Sequence, residues 1–178
     1  MTKILTIHQP NFFPWLGFFA KLAEADTFYV FDHVAVTNGK GWHSRAKILL
    51  NENEHWLTVP VKKKNLSGQK YFEIEINRES NILRKHLGTI KQAYTKAPFF
   101  EEVFTFLSYI YTHDTENLSD FNLNFIEKLS NHIGLKHSSS RTTNLTMFFI
   151  VFLRVKRSRV SVRPSKDALE SLDSESRA

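Results

Sequence analysis

Cysteine is absent from the 178 residues, which excludes disulfides, iron–sulfur clusters and cysteine-ligated zinc. Glycine and proline are scarce, at six and five residues, a composition that suits a globular domain rather than a repetitive chain. No segment approaches the roughly 18 to 20 apolar residues of a membrane span. The opening "MTKILTIHQP" lacks the apolar stretch and small-residue cleavage site of a secretory signal, so the expected location is the cytoplasm. The Walker loop, G-x-G-x-x-G, G-x-S-x-G and zinc-finger patterns are missing as well, which removes the commoner nucleotide and hydrolase motifs.

Rings are plentiful. Sixteen phenylalanines in a chain that is 42% hydrophobic and 24% charged predict an aromatic core, and the length suits one domain. The net charge of +6 is unevenly placed: residues 1–145 hold 17 Lys and Arg against 14 Asp and Glu, and residues 146–178 hold 7 against 4. The first part is therefore mildly basic, and no nucleic-acid partner is expected from charge. Residues 146–178 begin with seven apolar residues, Met147–Leu153, and continue as a basic, Ser-rich tail. Composition predicts disorder over 160–178, and the apolar run beside Lys and Arg suits either one buried strand or a peripheral membrane contact.

Along the chain, "KILTIH" predicts a first, central strand that Pro10 must end. Pro14 suits the first turn of a helix running to about Ala25, with Asn11 as its cap and Leu16, Phe19, Leu22 and Ala23 facing the core. Thr27–Phe31 reads as a second strand, parallel to the first. Arg45–Leu50 and His55–Val61 flank the polar turn "NENE" and predict a hairpin. Tyr71–Ile76 alternates as a further strand. Helices follow over 80–94, 100–111 and 118–133, with Asn117 or Ser119 capping the last and Gly134 ending it. The expected fold class is α/β: a mixed sheet with a parallel strand–loop–helix–strand opening unit, a central β-hairpin and C-terminal helices.

His8 is the sharpest chemical candidate, because open α/β sheets place ligands at the carboxyl ends of their strands. There it could serve as acid or base, or donate to a phosphate near the helix N-terminus. The plainer alternative is a loop histidine bonded to local backbone, with Gln9 and Asn11 doing likewise. Asp32 ends the second strand, where it could orient His8, bind a hydroxyl or simply cap a turn. In "GWHSRAKI", strand alternation predicts Trp42, Ser44 and Ala46 on one side and His43, Arg45 and Lys47 on the other. Such a cationic face suits phosphate or carboxylate, or is simply solvated. The candidate set is thus His8 and Asp32 as catalytic groups, with Gln9, Asn11, Trp42, Arg45 and Lys47 as substrate-binding groups. Metal-ligand spacing among His8, Asp32, His33 and His43 is weak, so no metal is assigned and the cofactor is left unknown.

The blocks "IHQPNFFPWLGFFAKLAEAD", "FDHV", "GWHSRAKI" and "RKHLGTIKQAYTKAPFF" resemble the WbqC-like family of bacterial proteins, over roughly residues 4–145. The resemblance implies a setting in lipopolysaccharide O-antigen and surface-glycan biosynthesis. The expected ligand is a nucleotide sugar or another phosphorylated small molecule, with group transfer to an activated amino sugar as the reaction. A non-catalytic binding or scaffold role, or an inactive truncated fragment, is the alternative. Two departures stand out. "SRAK" replaces the family's Asn-Arg-x-Arg pattern, so Lys47 lacks the planar fork of arginine. From Thr146 the chain also diverges, which predicts an incomplete α/β domain over 1–145 and a divergent tail over 146–178. The opening unit is analogous to the nucleotidyltransferase-like fold, with only one histidine of that fold's pair.

Overall fold

A computed structural model describes residues 3–36, 41–62, 68–79 and 81–141, and the backbone of 162–164. The architecture is α/β. Strand β1 (Leu5–His8) leads through helix α1 (Leu16–Glu24) into β2 (Thr27–Val30). The hairpin β3 (Arg45–Leu50) and β4 (Asn53–Thr58) follows, then helices α2 (Ile82–Tyr94), α3 (Phe100–Tyr111) and α4 (Leu118–His132). Strand β5 (Ser138–Arg141) and the short β6 (Val162–Pro164) complete a parallel sheet in the order β5-β2-β1-β6. His8 stands opposite Val30, and Val30 opposite Arg141, so the carboxyl ends of three strands share one edge.

The sheet's two faces divide the side chains by period-2 alternation. Phe28 and Val30 pack with Phe18, Phe19 and Leu22 of α1, Ile110 of α3 and Phe125 and Ile126 of α4. Ile7 packs on the opposite side, with Phe31, Val34 and Tyr29. A second core joins Ala46 and Leu57 of the hairpin to Ile90, Tyr111, Leu118 and Phe121. Phe13 and Leu107 pack against both large cores.

Several expectations need correction. Helix α1 begins at Leu16 with Trp15 at its N-cap and no side-chain cap bond, so Pro14 precedes the helix and Asn11 does not cap it. The inward face of α1 is Phe18, Phe19 and Leu22, while Leu16, at 88% exposure, and Ala23 face outward. Tyr71–Glu73 is a turn of 3-10 helix, not a strand: the Lys70 N–H donates to the Glu73 carboxylate, and Glu73 N bonds back to the Lys70 carbonyl. This local closure competes with strand pairing, leaving only bridges from Glu75 to Asn117 and from Ile76 to Val61. The hairpin turns over two residues, Asn51 and Glu52, both at positive φ. That geometry matches strand twist and places β4 earlier than His55–Val61.

Helix α4 ends as its sequence predicts. Asn117 caps it, its Oδ1 accepting from Asp120 N at 3.0 Å. Gly134, at φ 76°, closes it in a Schellman turn with Leu135 N donating to Ser130 O at 2.8 Å. In the tail, Met147–Leu153 and most of 160–178 lie outside the described residues. Val162–Pro164, expected to be disordered, pairs in parallel with β1, because that sheet edge offers unpaired backbone groups to any extended segment.

The Phe28 ring is fully buried (0% exposed) between α1 and β2. Phe28→Ala is expected to lower stability by about 3–5 kcal/mol, seen as a reduced urea midpoint with an unchanged m value.

Candidate binding and catalytic site

The loop after β1 is fixed from beneath. The Pro10 carbonyl accepts from the Tyr71 hydroxyl and, at 2.8 Å, from Asn122 Nδ2. The same amide reaches the His43 carbonyl at 2.6 Å and the Tyr71 oxygen at 2.5 Å. Phe12 N donates to the Trp42 carbonyl at 3.0 Å, tying the loop to the entrance of β3. Tyr71 and Asn122 are buried, so each must find its partner inside the protein, and burial pushes the Tyr71 phenol well above its ordinary pKa. Neither residue belongs to the candidate set. Asn122 has a legible signal, since it interrupts the apolar stripe Leu118, Phe121, Phe125 and Ile126 on α4. Tyr71 has none once its segment is read as a strand.

Above this knot lies a cleft of about 330 Å³, lined by Asn11, Phe12, Phe13, Pro14, Trp15, Leu16, Trp42, Ala46 and Lys47. It brings together three of the candidate binding residues, Asn11, Trp42 and Lys47, beside the N-terminus of α1. Asn11 N donates to Gln9 O at 3.0 Å, which tightens the turn. All three tryptophans of the chain gather here: Trp15 and Trp42 line the cleft, and Trp56 lies 5.7 Å from Trp42. The Arg45 guanidinium stacks over Trp56 at 4.2 Å, and Lys47 Nζ sits 5.1 Å from the same ring and 2.5 Å from Glu54. Arg45 therefore extends the cleft's rim without lining it. Phe13 holds φ 45°, costly for a bulky residue at about 1–3 kcal/mol, and it is kept there by Phe12 at 4.4 Å and Phe125 at 4.7 Å.

His8 is buried, at 2% exposure. Its Nδ1–H donates to the Gln9 carbonyl at 2.7 Å; a carbonyl only accepts, so the basic nitrogen of the neutral ring is Nε2. The ring meets Trp15 edge-on at 5.5 Å and Phe18 at 5.0 Å, and it does not line the cleft. Trp15 lies low against the helix because Gly17 leaves it room; a Cβ there would fall 2.7 Å from the indole nitrogen. Gln9 thus contributes its carbonyl as the orienting acceptor, the role expected of Asp32. Asp32 is buried and engaged elsewhere: Ser119 Oγ donates to it at 2.6 Å, and Arg141 Nε lies 3.6 Å away. Arg141 also pairs with Asp120. This acid–arginine cluster closes the carboxyl ends of β2 and β5; Ser119, expected only as a helix cap, and Arg141 are the partners of Asp32 there.

His43 does not join Arg45 and Lys47 on the cationic face. Residues 41–44 turn, with Ser44 N bonded to Gly41 O at 3.2 Å, so strand alternation starts only at Arg45. The His43 ring is buried against Tyr71, and burial lowers its pKa to about 4. His86, whose Nε2 lies 3.1 Å from Thr58 O, is lowered to about 4 by the same cause. Among the described residues, no group of three or more His, Asp or Glu is placed to hold a metal, and no helix is long and apolar enough to cross a membrane.

Residues 9–148 match the model of the WbqC-like protein family. The chain belongs to that family. It is 29% identical over 143 residues to "Uncharacterized protein Rv1507c" of Mycobacterium tuberculosis, covering 80% of this chain and 60% of that protein. The WbqC-like chain thus spans less than two thirds of this relative's length. No solved structure matches it. The matched segment contains the cleft and the knot beneath it, from Gln9 to Asn122.

Two predictions follow from these contacts. Asn122→Ala leaves the Pro10 and His43 carbonyls short of a donor and is expected to cost about 1–3 kcal/mol in chemical denaturation. His43 and His86 have folded pKa values near 4, below the unfolded value of about 6.5. The unfolded chain therefore binds more protons between those values, and the stability these groups contribute, full above pH 6.5, is lost as pH falls towards 4. A urea-midpoint profile over pH 4–7 should show that fall, and His43→Gln should flatten it.

Proposed function

We propose that this WbqC-like protein acts in bacterial surface-polysaccharide (O-antigen) biosynthesis, on a nucleotide-activated amino sugar, by group transfer in the cytoplasm. The observation that carries this reading is the cleft itself: a polar floor at Asn11, exposed indoles at Trp15 and Trp42, and a cation at Lys47, beside a helix N-terminus. Indoles stack against sugar and base rings, while Lys47 and the α1 N–H groups suit a diphosphate. An arriving phosphate competes with Glu54 for Lys47, and Arg45 at the rim adds a second cation. In this reading the ligand is a small phosphorylated molecule rather than a nucleic acid. His8 Nε2 accepts or returns the proton during transfer once the Trp15 ring moves aside, with Gln9 O fixing the imidazole's tautomer. Asp32 is held by Ser119 and Arg141 and takes no part in the transfer in this reading.

A second reading, a non-catalytic nucleotide-sugar binding protein of the assembly machinery, is favoured by the burial of His8 behind Trp15 and Phe18. The two readings separate experimentally. Thermal denaturation against a panel of nucleotide sugars is expected to give one ligand that raises Tm by about 5–10 °C at a hundredfold excess over its Kd. Trp42→Ala should abolish that shift. His8→Ala should retain the shift and lose turnover if the protein is a transferase, whereas a bound ligand with no turnover by the unaltered chain favours the binding role. A panel with no shifting ligand sinks both.

A further inference from the structure

Next to the cleft lies a second cavity of about 390 Å³ between α2, α3 and α4. Ile90, Phe100, Phe104, Leu107, Phe125 and Leu129 are among the apolar residues of its wall. Its polar rim group, the Tyr94 hydroxyl, accepts the Leu49 N–H at 3.2 Å. The volume is more than twice the roughly 150 Å³ that encloses a benzene ring and lies within the usual range of ligand pockets. Two observations place it against the cleft. Phe13, strained at φ 45°, is a wall of both. Ala46 and Ile48, two residues apart and so on one face of β3, line the cleft and the cavity in turn.

We propose that this cavity binds the hydrocarbon chain of a medium-length anionic acyl compound, whose head reaches the cleft beside Lys47. The wall accepts only hydrocarbon. The neighbouring cleft supplies a cation, Lys47, which a carboxylate or an activated acyl head takes over from Glu54, so the charge pattern changes where such a molecule changes from chain to head. Chain binding stands on the cavity alone; its use as the transferred group rests on the transfer reading above.

Isothermal titration of the full chain with straight-chain saturated carboxylates of 4 to 12 carbons tests the proposal. Kd is expected to fall about fourfold per added methylene and then level off once the cavity is full. Val103, which lines the cavity's mouth at 49% exposure, provides a variant that spares the core: Val103→Trp should move the plateau to shorter chains at an unchanged Tm. Lys47→Glu should weaken all lengths by a similar factor, about tenfold, and leave the methylene slope intact. A wild-type Kd independent of chain length, or a plateau unmoved by Val103→Trp, would overturn the proposal. So would self-association, or binding to phosphatidylglycerol vesicles, that Val103→Trp removes while free carboxylates fail to bind; either assigns the groove to another occupant. A carboxylate series that behaves as expected, with no nucleotide sugar raising Tm, leaves the chain site standing and removes the transfer role.

Discussion

One carbonyl holds the candidate site together. Pro10 cannot donate a backbone hydrogen bond, so it is held through its oxygen. Tyr71 and Asn122, 61 and 112 residues further along the chain, both donate to it. Asn122 extends the same hold to His43 O, so the loop after β1, the 3-10 turn, α4 and the entrance to β3 meet at one buried point. Inside a low-dielectric core such a network is stable only when its members are present together, which makes the loop's shape a property of the whole fold.

From that point the two large cores spread in opposite directions. Phe12 enters the core shared by the hairpin, α2 and α4, while Phe13 touches both cores and forms a wall of both cavities. Phe13 stacks on Phe12 at 4.4 Å and holds φ 45°, in the left-handed region that bulky residues rarely adopt. The strain is local, and the aromatic packing around it is extensive. Phe13's strained backbone sits where the cleft meets the apolar cavity, and such strain is commonly found at ligand sites.

Much of the scaffold is legible in the residues. The apolar run before Pro10, the strand Thr27–Val30, helix α3 and the Asn117 cap with Gly134 beyond α4 are local signals, each with a short-range physical cause. Legibility fails where long-range contacts overrule a local pattern. Tyr71–Ile76 alternates like a strand, yet the Lys70–Glu73 closure and the pull of Pro10 on Tyr71 make it a turn. Leu16 looks like core by spacing with Phe19 and Leu22, yet the packed face of α1 centres on Phe18, Phe19 and Leu22 and leaves Leu16 in solvent. His43 reads as a surface cation until the turn at Gly41–Ser44 folds its ring beneath the sheet entrance.

Local pattern is enough for the α/β class, the parallel opening unit, the first strand of the hairpin and the cluster of polar and aromatic residues from His8 to Trp15. Those features follow from periodicity, capping and turn chemistry, which act over a few residues. Tertiary structure alone decided that Asn11, Trp42 and Lys47 share a cleft while His8 lies behind Trp15 and Asp32 turns to Ser119 and Arg141. Those outcomes depend on which buried donor finds which acceptor across more than a hundred residues, and no local pattern encodes that pairing.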